Sequence, residues 1–250
     1  MSLPRTPSFR LEGKRALVTG GSRGIGLGCS VALAELGAHV VVAARSEAQV
    51  AEAVEAITAE GWSAEGLSLD MTDLSALETA MAEPFDVVVN SAGLARHAPA
   101  LATTAEDFDA VMNINLRAAY FLSAYAAKGM AARGGSIIHI SSQMGHVGGV
   151  DRAVYCASKH AIEGMVKAMA MEFGPMGIRI NTICPTFIRT PLTEQTFANP
   201  ERVAWIKSKI KLDRIGEVED IMGAVAFLAS DASALVTGTS LKVDGGWTTG

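Results

Sequence analysis

The chain has 250 residues, of which 49% are hydrophobic and 19% charged. That composition is globular and not disordered, and the length suffices to bury one α/β core or two small ones. The net charge is −5, and residues 51–110 hold 12 acidic side chains against a single basic one, which argues against a nucleic-acid binder. No apolar run approaches the roughly 20 residues of a membrane helix, and the opening MSLPRTPSFRLEGK has no hydrophobic segment of signal-peptide length. Cys29, Cys156 and Cys184 are odd in number and show no paired spacing, which argues against a disulfide framework and fits a reducing cytoplasm. The expectation is a cytoplasmic protein with no membrane or nucleic-acid partner.

In chain order, β-branched runs predict strands over 15–19, 39–43, 64–69, 86–90, 136–141, 178–183 and 239–243, with helices between them over 24–36, 46–60, 73–82, 106–131, 152–173 and 217–229. Ile162, Met165, Val166 and Met169 recur at i, i+3, i+4, i+7, the stripe of a core-facing helix. Strands alternating with helices imply βαβ crossovers and a parallel sheet covered on both faces. No repeat or Gly/Ser linker divides the chain, so residues 1–250 read as one domain, with 1–10 as an N-terminal extension. The stretch 185–215 reads as irregular, and a long irregular stretch in a compact domain often serves as a binding loop or lid.

Ligands of open parallel sheets bind beyond the carboxyl ends of the strands, and there this sequence concentrates its unusual residues. Gly20, Ser22, Arg23, Gly24, Ile25 and Gly26 follow the first strand, Arg45 the second, Asp70 and Met71 the third. Asn90, Ala92 and Gly93 follow the fourth, Ser142 the fifth, and Pro185, Thr186, Ile188 and Thr190 the sixth. The glycines between strand and helix let backbone N–H groups approach a pyrophosphate, and the helix N-terminus behind them offers unpaired donors. An NAD site places a carboxylate after the second strand; here Ala44 and Arg45 stand in that place, with Glu47 close by. A guanidinium suits a 2′-phosphate, and Arg23 adds a second cation. NADP is therefore expected over NAD.

Tyr155 and Lys159 are four residues apart and share a face if the stretch is helical. A free phenol titrates near ~10 and is a poor acid–base catalyst at neutral pH, whereas a nearby ammonium favours the phenolate. The same lysine can hydrogen-bond ribose hydroxyls. Ser142 precedes Tyr155 and can bond the substrate oxygen. The Tyr-x-x-x-Lys spacing alone says little; its company gives it weight.

Together these residues resemble the short-chain dehydrogenase/reductase family over nearly the whole chain. Its glycine motif is matched by Thr19, Gly20, Gly24 and Gly26, and its adenine-side aspartate looks like Asp70. Asn90-Ser91-Ala92-Gly93 is similar to its N-N/A-A-G element, with Ser91 as a mild departure. Asn115, Ser142, Tyr155 and Lys159 look like its catalytic residues. Its P-G element reads Pro185-Thr186, and losing that glycine bears on the local loop shape; Thr190 matches the threonine aimed at the nicotinamide carboxamide. The resemblance implies a Rossmann-type, doubly wound domain with a seven-stranded parallel sheet, assembled as a homotetramer. It also implies roles: Tyr155 as proton donor to a carbonyl oxygen, Ser142 as its positioner, Lys159 on the ribose, and Asn115 supporting a water-mediated proton path. No metal is required.

Substrate contacts are expected from Gln143, Met144, His146, Phe187 and Trp205. His39 and His139 read as packed or hydrogen-bonded strand residues, while His97 and His146 follow strands that lead into the cleft; Cys156 reads as a packed thiol. The reading is an NADP(H)-dependent interconversion of a secondary alcohol and a ketone on a small free substrate, sugar- or polyol-like or a simple carbonyl. Reduction of 3-oxoacyl groups on acyl carrier protein ranks behind it, since residues 168–178 lack Lys and Arg and contain Glu172. A non-catalytic NADP-binding regulator or scaffold is the alternative of another class.

Overall fold

The computed structural model describes residues 1–250. Seven parallel strands form one sheet: β1 (Arg15–Thr19), β2 (His39–Ala44), β3 (Ala64–Ser68), β4 (Val87–Asn90), β5 (Gly135–Ile140), β6 (Ile178–Pro185) and β7 (Ser240–Val243), in the order β3-β2-β1-β4-β5-β6-β7. Side chains alternate across the pleat. Leu17, Val41, Val88, Ile137 and Ile180 therefore pack on one face with Leu77, Leu122 and Val166. Ala16, Val18, Val40, Val42, Val89 and Ile138 pack on the other with Leu33, Ile57 and Val225. Near-continuous aliphatic strands such as β4 follow from burial on both faces.

The first face is covered by α3 (Leu74–Ala80), α5 (Ala119–Met130) and α6 (Ala153–Phe173); the second by α1 (Gly24–Glu35), α2 (Glu47–Ala59) and α9 (Glu219–Ala229), α4 (Ala105–Met112) leading into α5. No helix is long and apolar enough to cross a membrane. The strand order reverses between β1 and β4, so the loops after these strands diverge and leave a crevice at the carboxyl edge of the sheet.

Two expectations need correction. The single helix over 106–131 is instead α4 and α5 joined by a π-helical turn, Asn113–Ala118. The inserted residue turns Asn115 into the interior. There its Oδ1 accepts from Leu94 N at 2.8 Å, and its Nδ2 donates to Leu94 O at 2.9 Å and to Ser158 Oγ at 3.0 Å. Such turns concentrate at functional sites. The stretch 185–215 is not structureless either, for it carries α7 (Glu194–Phe197) and α8 (Pro200–Lys209). Asn199 caps α8, accepting from Glu201 N and Arg202 N, and Pro200 sits in its first turn. That Asn-Pro start signal is legible in the sequence.

Candidate active site

The crevice is a cleft of about 1340 Å³ running along the carboxyl ends of β1 to β6. At β1 the chain enters α1 through Gly20-Gly21-Ser22-Arg23. Arg23 occupies the cap position in extended backbone with no side-chain bond to the helix, and the first turn holds no acidic residue. The leading N–H groups of α1 are thus left for an anion in the cleft. A side chain at Gly26 would put its Cβ 1.9 Å from Gly20 O. Gly20, at φ +66°, lies against the backbone after β4, where a Cβ would come within 2.9 Å of Ala92 N. The glycines are there because two backbone segments meet.

At the end of β2, Arg45, Ser46 and Gln49 line the cleft and Glu47 does not. Glu47 belongs to the first turn of α2, capped by Ser46, where a helix dipole favours negative charge. Neither Arg23 nor Arg45 makes a salt bridge. After β3, Asp70 and Met71 line the cleft. Two hydrogen bonds from Thr72, one from its backbone N at 2.9 Å and one from its hydroxyl at 2.8 Å, with the charge of Arg45 adding, hold the Asp70 carboxyl below its ordinary range.

Ser142, Tyr155 and Lys159 line one wall of the cleft. Ser142 Oγ accepts from Met144 N at 3.1 Å. Tyr155 and Lys159 are on one face of α6. The Lys159 ammonium is buried, stands 5.6 Å from the Tyr155 ring centre and donates to Ile140 O at 2.9 Å. Thr190, Thr186, Pro185 and Ile188 close the cleft from the β6 side. Thr186 needs no positive φ, so threonine fits where the resembled motif has glycine. Its Oγ1 is buried with no hydrogen-bond partner, a polar atom waiting for a ligand.

Other expected residues stand elsewhere. Asn90 is buried behind the cleft, one link in a chain in which Thr19 Oγ1 donates to Asn90 Oδ1 at 2.7 Å, Asn90 Nδ2 pairs with His139 Nδ1 at 3.2 Å, and His139 Nε2 meets Ser123 Oγ at 2.8 Å. Burial pushes His139 down to about 3, so it is a neutral relay, packed as expected. His146 does not line the cleft. Its Nε2 lies 3.4 Å from Cys184 Sγ and 3.7 Å from Glu163 Oε2, drawn to a buried carboxylate that also accepts from Thr182 and Ser240. Trp205 stands one layer back, edge-on to Trp247 at 5.4 Å; Trp247 in turn packs 5.6 Å from Phe187, which does line the cleft along with Gln143 and Met144. Arg152 and Gln195 also line the cleft; Gln195 falls within the stretch 185–215 expected as a binding loop, whereas Arg152 was not expected from the sequence. The signal for Arg152 was its place three residues ahead of Tyr155, where the last residue before a helix faces the same edge as the first turn.

These features fit a dinucleotide: an uncapped helix N-terminus, backbone approaches that exclude any Cβ, and the orphaned Thr186 hydroxyl. A tyrosine, lysine and serine meet where its reactive end would come to lie, and two unpaired arginines lie on the β1–β2 side.

Comparison with known proteins agrees. A family model described as Enoyl-(Acyl carrier protein) reductase matches residues 20–248. A D-erythrulose reductase from Gallus gallus is 39% identical over 245 residues, covering 96% of this chain and 98% of that protein. A gluconate 5-dehydrogenase from Gluconobacter oxydans is 37% identical, covering 96% of both. The crystal structure of a gluconate 5-dehydrogenase from Burkholderia cenocepacia in complex with NADP and tartrate superposes with a TM-score of 0.93 at 34% identity, covering 97% of this chain and 98% of that one.

Proposed function

This chain belongs to the short-chain dehydrogenase/reductase family and is an NAD(P)-dependent oxidoreductase acting on CH–OH donors, and from that premise we propose that it interconverts a secondary alcohol and a ketone on a small sugar- or polyol-like substrate, with NADP(H) as the preferred cofactor. The observation that carries the reading is the convergence of Ser142, Tyr155 and Lys159 on one wall of the cleft. The relatives' names, erythrulose reductase and gluconate 5-dehydrogenase, support the substrate class.

When bound, NADP(H) supplies or accepts the hydride. Everything else falls to the chain. The Tyr155 hydroxyl gives its proton to the carbonyl oxygen in reduction and takes it back in oxidation. The Ser142 oxygen already accepts from Met144 N, which leaves its hydrogen to hold the substrate oxygen. Lys159 spends one donor on Ile140 O and keeps two for the ribose hydroxyls, so one side chain fixes the cofactor and places a positive charge beside the phenol. Asn115, in the π turn, is tied to Leu94 after β4 and to Ser158 of α6, and so holds its place for a water-mediated path that reloads the proton through Lys159. Gly20, Ser22, Gly24, Ile25, Gly26, Ala92 and Gly93 would form the phosphate and ribose side, with Asn90 buried behind them, Asp70 and Met71 the adenine side, and Thr186, Ile188 and Thr190 the nicotinamide side.

Arg45 and Arg23 support NADP, because neither has a carboxylate of its own and Glu47 is committed to a helix N-terminus. The test is absorbance at 340 nm over polyols, sugar acids, 3-oxoacyl thioesters and simple ketones, each with both cofactors. NADPH should serve at least about ten-fold better than NADH in kcat/KM, and Arg45→Ala should remove most of that advantage, in line with about 1.5–3 kcal/mol for a charge-assisted bond discounted for exposure. A preference for NADH that Arg45→Ala leaves unchanged contradicts the assignment.

We also propose a homotetramer. A groove of about 1260 Å³ lies between α4–α5 and α6, lined by Met112, Leu116, Phe121, Met165 and Met169, and Tyr120 and Met171 are exposed large apolar side chains on the same helices. Light scattering should give a mass four-fold the 26.0 kDa of the chain; a monomer mass overturns this.

A further inference from the structure

Resting on the oxidoreductase reading above and deepening it, we infer that the substrate of this cleft carries an oxyanion, a carboxylate in the first place, held by Arg152 and Arg202 beside Tyr155. Arg152 is the last residue before α6. Asp151 ahead of it takes a left-handed turn (φ +59°) that aims the following residue at the cleft edge. The Arg152 guanidinium lies 5.6 Å from the centre of the Phe187 ring, and its Nη1 is 2.7 Å from His97 Nε2. His97 itself stands edge-on to Tyr155, with ring centres 6.0 Å apart. Burial first, then the charges of Arg152 and Arg202, hold His97 below its ordinary range, so it is a neutral acceptor and offsets none of the positive charge. Arg202 reaches the same cleft from α8, and its charge acts on both Arg152 and His97.

The contrast with the neighbouring arginines is informative. Arg96 pairs with Asp107, Arg189 with Glu217 and Arg214 with Asp220. Arg152 and Arg202 make no salt bridge, although Arg152 is half-buried and desolvation opposes its charge. A half-buried cation with a second, exposed one on the same wall is a cost that a neutral polyol does not relieve. An oxyanion relieves it through paired N–H donors in the planar fork that carboxylates match. The pair does not belong to the dinucleotide phosphates. Those face Arg23 and Arg45 at β1 and β2, whereas Arg152 and Phe187 follow β5 and β6, with β4 between the two sides.

The test compares a panel of aldonates with the alditols that differ only in carrying CH2OH for the carboxylate, and with the corresponding alditol phosphates. It uses steady-state kinetics, together with calorimetric binding to the NADP+ complex of the full chain, which reads the subsite without turnover. At least one aldonate should bind and be oxidised with kcat/KM ten-fold or more above its alditol. Arg152→Gln should cut that kcat/KM by about 30-fold, chiefly through KM, and bring the aldonate-to-alditol ratio toward one; Arg202→Gln should act in the same direction. Phosphates outranking aldonates would keep the oxyanion subsite and reassign its ligand to a phosphate. Alditols or ketones that match or exceed every anion, or an Arg152→Gln loss equal for charged and neutral members, would overturn the inference while leaving the oxidoreductase reading in place. Anion binding to the NADP+ complex without turnover of any compound would do the reverse.

Discussion

Replacing Tyr155 with Phe is expected to lower kcat by about 10²–10⁴-fold, the range contributed by a positioned general acid–base group, while NADPH binds within about three-fold of the parent. The asymmetry follows from the geometry. The ring fills its place against His97 and above α6 whether or not it carries a hydroxyl. Lys159 keeps its bond to Ile140 O and its remaining donors for the ribose. Only the transferable proton disappears. Stopped-flow fluorescence for cofactor binding and 340 nm turnover for chemistry separate the two. A Tyr155→Phe enzyme with near-parental kcat would remove the tyrosine from the reaction and return the site to a binding role, the regulator or scaffold alternative.

Gly26→Ala is expected to abolish measurable NADPH binding and to destabilise the fold by more than the about 1–3 kcal/mol usual for overpacking. Its Cβ would stand 1.9 Å from Gly20 O and 2.7 Å from Gly20 C, both backbone atoms that no rotamer change can move aside. The loop must open, and with it goes the approach of backbone donors to the pyrophosphate. Gly24 is the control, because an added Cβ there meets only the Thr190 side chain, at 3.4 Å, although its φ of +53° still strains it. Thermal unfolding and a fluorescence titration of both variants give the comparison; a Gly26→Ala protein that binds NADPH like the parent contradicts the close-packed turn.

The strands and most helices were legible because the buried parallel sheet demands continuous aliphatic runs such as Val87-Val88-Val89, and capping residues such as Ser46 and Asp73 mark helix starts. The cleft loops were legible as a set because each follows a strand end. Where the reading failed, the deciding force was tertiary. The π turn at Asn113–Ala118 follows from bonds between Asn115 and Leu94 across 21 positions, which no local pattern encodes. His146 follows β5 as a cleft residue would, yet the buried Glu163 carboxylate draws it the other way. Trp205 sits on a helix whose inward face is set by packing against Trp247, at the far end of the chain. Arg152 drew no notice because a lone arginine before a helix looks like a solvated cap; its meaning lies in its place in the cleft with no salt-bridged carboxylate, Asp151 acting on it only through space, which only the fold reveals.

The most direct measurement is a crystal structure of the NADP+ complex. The account places the Tyr155 hydroxyl and Ser142 Oγ on the substrate side of the nicotinamide C4, within hydrogen-bond reach of one common oxygen position, with Lys159 on the ribose. A bound dinucleotide whose nicotinamide points away from the phenol, with the Tyr155 hydroxyl facing solvent, would contradict it.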